Sequence, residues 1–129
     1  MRTPAQQAGD EAEALVARRL RAQAWQIIGT QVRVGRAELD ILAIDPGPPK
    51  CLVAVEVRWR RRRDFGLPEE TVDHVKVRRL QRAILGLLEA RALPDGRSLP
   101  WLPVRVDLVA VDRDRDGSLA MRHYRSVEA

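Results

Sequence analysis

The run Leu52 to Trp59, LVAVEVRW, constrains this chain more than any other stretch of it. Large and β-branched side chains follow one another with little alternation, the pattern of a strand covered on both faces. Such a strand needs neighbours beside it and packed layers above and below. The rest of the chain can supply them. From Ala8 to Gln23, Ala12, Leu15, Val16 and Leu20 recur at helical spacing and predict an amphipathic helix. Trp25 to Val34 predicts a first strand and Gly35 a turn. Ala37 to Ile44 (AELDILAI) predicts a second strand, stopped by Asp45-Pro46-Gly47-Pro48-Pro49. Beyond the third strand, Arg60 to Pro68 reads as a loop entering a helix at Pro68, Glu69 and Glu70. That helix has the inner stripe Val77, Leu80, Ile84, Leu87 and Leu88, and Leu93 to Gly96 ends it. Pro103 to Val111 is a fourth strand, followed by a turn at Asp112 to Gly117 and a weak strand at Leu119 to Tyr124. The order αβββαβ, with that last strand appended, predicts one α/β domain over residues 1–129, a mixed central sheet flanked by helices.

Acidic residues interrupt the two central strands. With the connection centred on Pro48, an antiparallel hairpin sets Asp40 opposite Glu56 and Glu38 opposite Arg58, about 5 Å apart at Cβ. Two carboxylates that close repel, and both lie in strands that otherwise look buried. A hard divalent cation, Mg²⁺ or Mn²⁺, compensates them economically, because it takes one or two carboxylates plus waters and substrate phosphate. A hairpin offset by one residue, or a wet face on which Glu38 and Glu56 pair with Arg36 or Arg58, removes that need. Spacing alone leaves both readings open.

The chain carries 23 Lys and Arg against 18 Asp and Glu, a net charge of +5, and only Lys50 and Lys76 are lysines. Guanidinium is the better fork for phosphate oxygens, but an arginine-rich coding bias accounts for the same count. Position is more informative. Between Arg58 and Arg82 lie nine basic and four acidic residues, and the remaining 14 of each sign cancel. The surplus therefore sits in one quarter of the chain, as a phosphate-binding face requires.

Taken together, GRAELDILAID, CLVAVEVRWR, a helix carrying Lys76, and VRVDLVAV resemble the YraN family of small bacterial proteins over nearly the whole chain. That resemblance implies a restriction-endonuclease-like fold and the PD-(D/E)xK nuclease pattern, here Leu39-Asp40 and Glu56-Val57-Arg58. It implies Asp40 and Glu56 as ligands of Mg²⁺ or Mn²⁺, helped by the carbonyl of Val57. It also implies a glutamate on the first helix, matched by Glu13 with Glu11 as the fallback. Glu38, Lys76, Arg105 and Asp107 match recurrent family positions. Where the family has a lysine this chain has Arg58, which cannot act as a general base but can hold a water or stabilise a phosphorane. Ala12 and Ala37 replace two family glycines. These departures keep a second reading open, a nucleic-acid-binding protein of nuclease-like fold that does not cut.

The expected function is thus metal-dependent hydrolysis of phosphodiester bonds in DNA, branched or single-stranded forms included, with Asp40, Glu56, Arg58 and Glu13 as catalytic residues. Arg60, Arg61, Arg62, Arg63 and Lys76 are the expected nucleic-acid contacts, although Lys76 reads equally as a solvated helical lysine. Trp59 alternates with Val55 and Val57 and is expected in the core rather than stacked on a base. Asp107 alternates with Val106 and Leu108 and reads as a buried partner of Arg105 or of another basic residue. A third possibility is a protein-interaction subunit whose arginines meet an acidic partner, and self-association as a homodimer is also open. Asp112, Asp114, Asp116 and Gly117 spell the front of a calcium loop, but His123 stands where the bidentate glutamate belongs, so a tight turn is expected. No apolar stretch approaches the roughly 20 residues of a membrane span. The single Cys51 and an N-terminus without an apolar leader segment predict a cytoplasmic protein.

Overall fold

The computed structural model describes residues 1–61 and 73–127, with Arg61 as backbone only. Helix α1 (Pro4–Ala22) opens ahead of its apolar stripe because Thr3 caps it. The Thr3 hydroxyl accepts the Gln6 amide at 3.1 Å, and Gln6 Oε1 accepts the Thr3 amide at 2.9 Å. Pro4 then suits the first turn. The chain continues as β1 (Gln26–Val34), β2 (Ala37–Asp45), β3 (Cys51–Arg61), α2 (His74–Ala90), β4 (Val104–Arg113) and β5 (Leu119–Tyr124). Asp73 caps α2 by accepting the Val75 and Lys76 amides at 3.0 and 3.2 Å, and the expected entry at Pro68, Glu69 and Glu70 lies outside the described residues. The helix stops short of Leu93 because Arg91 turns left-handed at φ 54°.

The five strands form one sheet in chain order, antiparallel throughout except for the parallel pair β3 and β4. A parallel pair cannot be joined by a tight turn, so α2 serves as the crossover. The mixed α/β sheet and the αβββαβ order are those expected. On one face α1 packs Val16 and Leu20, with Trp25, against Ile41, Val53, Val55, Val109 and Val111. On the other, α2 packs Leu80, Ile84 and Leu87 against Leu42, Leu52, Ala54 and Val106. Strand β3 therefore sends odd-numbered side chains to α1 and even-numbered ones to α2, which explains its apolar run. Each fully buried Leu, Ile or Val contributes about 1.5–3 kcal/mol.

The β2–β3 connection sets the register. Gly47 has φ 71°, and a Cβ there would overlap the Pro49 carbonyl, so glycine alone fits. The ladder runs from Asp45 with Cys51 to Ile41 with Val55, centred on Pro48 as expected. Among the described residues no helix is long and apolar enough to cross a membrane.

Candidate functional site

Asp40 sits where the regular sheet breaks. In the β1–β2 ladder Thr30 pairs with Ile41 and Val32 with Leu39, leaving out the rung between Gln31 and Asp40. Gln31 takes a left-handed backbone at φ 49°, a cost of order 1 kcal/mol for a residue other than glycine. In the β2–β3 ladder the pairing ends at Ile41 with Val55, one rung before Asp40 and Glu56. Leu39 and Leu42 both join the core beneath α2, while Ile41 and Ala43 join the core beneath α1. The alternation of β2 thus slips by one residue at Asp40. This leaves Asp40 between the two layers, within reach of Glu13 on the α1 side and Glu56 on the α2 side.

The Val57 amide donates to Asp40 Oδ2 at 2.9 Å, replacing the missing rung. The N–H and C=O of a strand residue point to the same neighbour, so the Val57 carbonyl also faces this gap. Glu13 is half-buried and accepts Gln31 Nε2 at 3.3 Å. Glu11 instead meets Arg113 at 3.4 Å, so Glu13 is the first-helix carboxylate at the site. Lys76 reaches down from the first turn of α2 and sets its ammonium 2.5 Å from Glu56 Oε1. The other oxygen, Glu56 Oε2, is buried without a hydrogen-bond partner. A proton shared with Asp40, or a cation, is what would satisfy it. A small open cleft reaches Glu56, Arg58 and Lys76 from the α2 side, bounded by Asp73, Val77 and Leu80.

Burial raises the pKa of all three carboxyl groups. For Glu56, desolvation and then the Asp40 charge push it up to about 7, against the opposing pull of Lys76. An acid with a higher pKa folded than unfolded binds its proton better when folded, so its ionisation costs stability as pH rises from 4.5, fully so above about 7. Glu56→Gln should accordingly be more stable than the natural protein at pH 8, by on the order of 1 kcal/mol, and about equally stable at pH 4. Thermal denaturation at the two pH values checks this. A variant less stable at pH 8 than at pH 4, relative to the natural protein, would contradict it.

The donors here are all oxygen, which suits a hard ion such as Mg²⁺ or Mn²⁺. Among the described residues no group of three or more His, Cys, Asp or Glu forms a ready cage. The fit is therefore that of two carboxylates, Asp40 and Glu56, with the rest of the shell left to the Val57 carbonyl, waters and substrate.

Other expected residues are placed as follows. Arg58 shares the face of Glu56 and lines the cleft. Arg60 pairs with Asp112 of β4 at 3.7 Å, with 12% of its side chain exposed. Arg62, Arg63 and the Arg61 side chain lie outside the described residues. Glu38 is exposed and pairs with Arg33 at 3.3 Å, not with Arg36 or Arg58. Trp59 packs with the α1-side core beneath the Arg113 guanidinium, as alternation predicts. Asp116 accepts both the amide and the hydroxyl of Ser118, and Gly117 closes a turn on Asp114, so this segment is the expected tight turn. Asp107 is fully buried against Arg105. Sequence reasoning did not identify Gln31, and it left Lys76 undecided between solvent and site. Nothing in the run Ala37 to Asp45 signals the slip in β2, because a strand covered on both faces is apolar at odd and even positions alike.

A family model described as "Uncharacterised protein family UPF0102" matches residues 12–111. A UPF0102 protein of Symbiobacterium thermophilum is 40% identical over 114 residues, covering 88% of this chain and 89% of its own. One from Chlorobaculum parvum is 35% identical over 120 residues, covering 93% and 84%. The solved structure of Pyrococcus furiosus SfsA in complex with Ca²⁺ aligns with 97% of this chain at 15% identity and a TM-score of 0.44, and this chain spans 65% of it.

Proposed function

This chain belongs to the UPF0102 family, the YraN family its sequence resembles, and we propose that it is a metal-dependent endonuclease hydrolysing phosphodiester bonds in DNA. One observation carries the proposal. Two carboxylates stand together at a break in the sheet, and Glu56 keeps a buried oxygen without a donor beside Asp40. Asp40 and Glu56, with the Val57 carbonyl, would hold Mg²⁺ or Mn²⁺. When bound, that ion supplies a water of lowered pKa and neutralises charge on the scissile phosphate.

The chain's own residues do the rest. Lys76 holds one oxygen of Glu56 and favours its ionised form, leaving the other oxygen buried without a hydrogen-bond partner. Glu13, fixed by Gln31, borders Asp40 on the α1 side. Arg58 lines the cleft through which a phosphate would approach, and its guanidinium can stabilise charge developing on phosphate oxygens without exchanging a proton.

The test is cleavage of branched, flapped and single-stranded DNA by the purified protein with Mg²⁺ or Mn²⁺. Products are expected with metal and none with chelator. The presence of Arg58 where the family has lysine favours one alternative, binding without turnover. Retained, salt-sensitive DNA binding with no product under any metal would establish that alternative and reject the nuclease.

A further inference from the structure

We infer that the outer face of α2, through Arg78, Arg79 and Arg82, is the surface along which the phosphodiester backbone of a nucleic acid lies as it enters the site. The inference rests on the nucleic-acid partner proposed above and adds the residues that would hold it. All three arginines are exposed, and among the described residues none forms an ion pair. Lys76, Arg79 and Arg82 follow one another at i, i+3 and i+6, a single ridge on a helix surface, with Arg78 alongside. The ridge starts at the lysine whose ammonium touches Glu56 and winds outward, away from the buried stripe of Val77, Leu80 and Ile84.

The arrangement opposes what an isolated helix prefers. Cations are favoured near a helix C-terminus and anions near the N-terminus. Here all four Lys and Arg residues of α2 lie within its first nine residues, the Asp73 cap is the one described acid at that end, and the one carboxylate within the helix, Glu89, is at the far end. Arg78 and Arg82 are four apart and Arg79 and Arg82 three apart, both repulsive spacings. A bound polyanion relieves this crowding of cations. The arginines of α1 make a useful contrast. Arg19 and Arg21 stand in that helix's last turn, where the dipole already favours them, and they lie well beyond Glu13. A sequence that breaks a local rule beside a candidate site is the more informative of the two.

The experiment measures binding of a short fluorescent DNA, single-stranded and duplex in separate arms, as a function of salt and without divalent metal. The variant R78Q/R79Q/R82Q is compared with the natural protein and with R18Q/R19Q/R21Q, which removes the same charge from α1. The slope of log affinity against log salt should become shallower by about 2 to 3 in the α2 variant, with affinity at least about tenfold weaker at about 0.1 M salt. The α1 variant should change far less. Equal losses in both variants, or none in the α2 variant, would overturn the ridge and leave the carboxylate site standing. If the natural protein binds no DNA, the nucleic-acid partner fails and this inference with it. Should the α2 variant not fold, phenylglyoxal modification of the natural protein gives the same decision, because DNA must protect Arg78, Arg79 and Arg82 more than Arg18, Arg19 and Arg21.

Discussion

Asp40→Asn should abolish metal-dependent cleavage, a loss of at least about 10³-fold, while leaving the protein folded. The substitution is chosen for what it keeps. The Asn side chain retains an oxygen that can accept the Val57 amide, so the contact replacing the missing rung survives. What goes is the charge beside Glu56. Burial already raises the Asp40 pKa, so removing its ionisation costs the fold nothing at neutral pH. With a single carboxylate left, the pair that would hold a divalent ion is broken. Mn²⁺ should raise the melting temperature of the natural protein in proportion to log concentration above its Kd and leave that of the variant unmoved. Unchanged cleavage by Asp40→Asn would remove Asp40 from the mechanism, and an unchanged Mn²⁺ response would remove it from the metal.

The largest loss of stability is expected on the other side of the sheet, at Asp107. Its carboxylate is fully buried and receives Arg105 Nε at 2.8 Å, Arg105 Nη2 at 3.0 Å and the Ser126 amide at 3.0 Å, with His123 Nε2 at 2.8 Å. Arg105 also reaches Asp45 at 2.8 Å, where Arg125 meets it at 3.1 Å, and both guanidinium groups lie near the Trp25 ring. Asp107→Ala leaves Arg105, itself largely buried, with one of its two carboxylate partners gone. Breaking one side of a buried ion pair costs about 3–5 kcal/mol, which for a chain of this length lowers the melting temperature by roughly 10–20 °C. In the double variant Arg105→Ala, Asp107→Ala the losses should not add, because the second substitution removes the stranded charge. Losses that add in full would mean the pair does not act as a unit.

The same network fixes the response to acid. Desolvation alone would raise the pKa of Asp107 and Asp45. The bonds from His123, Arg105 and Ser126 to Asp107, and from Gly47, Arg105 and Arg125 to Asp45, outweigh it and hold both below the usual 3.8. Groups with a depressed folded pKa contribute stability that is complete above their unfolded pKa and lost as pH falls through the folded one. Natural protein should therefore lose this stability only below about pH 4, and Asp107→Asn should show a flatter acid limb there.

Much of this was legible in the chain. The apolar run of β3 required cover on both faces, and the structure supplies α1 on one and α2 on the other. A turn centred on Pro48, one of the two registers the spacing left open, brings Asp40 toward Glu56, and the ladder from Asp45 with Cys51 to Ile41 with Val55 has that register. That Asp107 is a buried partner of a basic residue followed from alternation in β4, and the structure makes that residue Arg105. Lys76 was the residue that local pattern could not place. It borders the buried stripe of α2, where either solvent or the site is within reach of a long side chain, and only the position of the helix over Glu56 decides between them.

The sequence by itself thus determined the layers and named the candidate carboxylates, since each depends on periodicity or on patterns close along the chain, while the structure chose between the two hairpin registers. Tertiary structure decided how the site is assembled. The slip of β2 at Asp40, the left-handed Gln31, the choice of Glu13 over Glu11 and the Lys76 contact with Glu56 all arise from packing between segments far apart in sequence. Such packing is set by the fit of whole faces, and no local pattern encodes it.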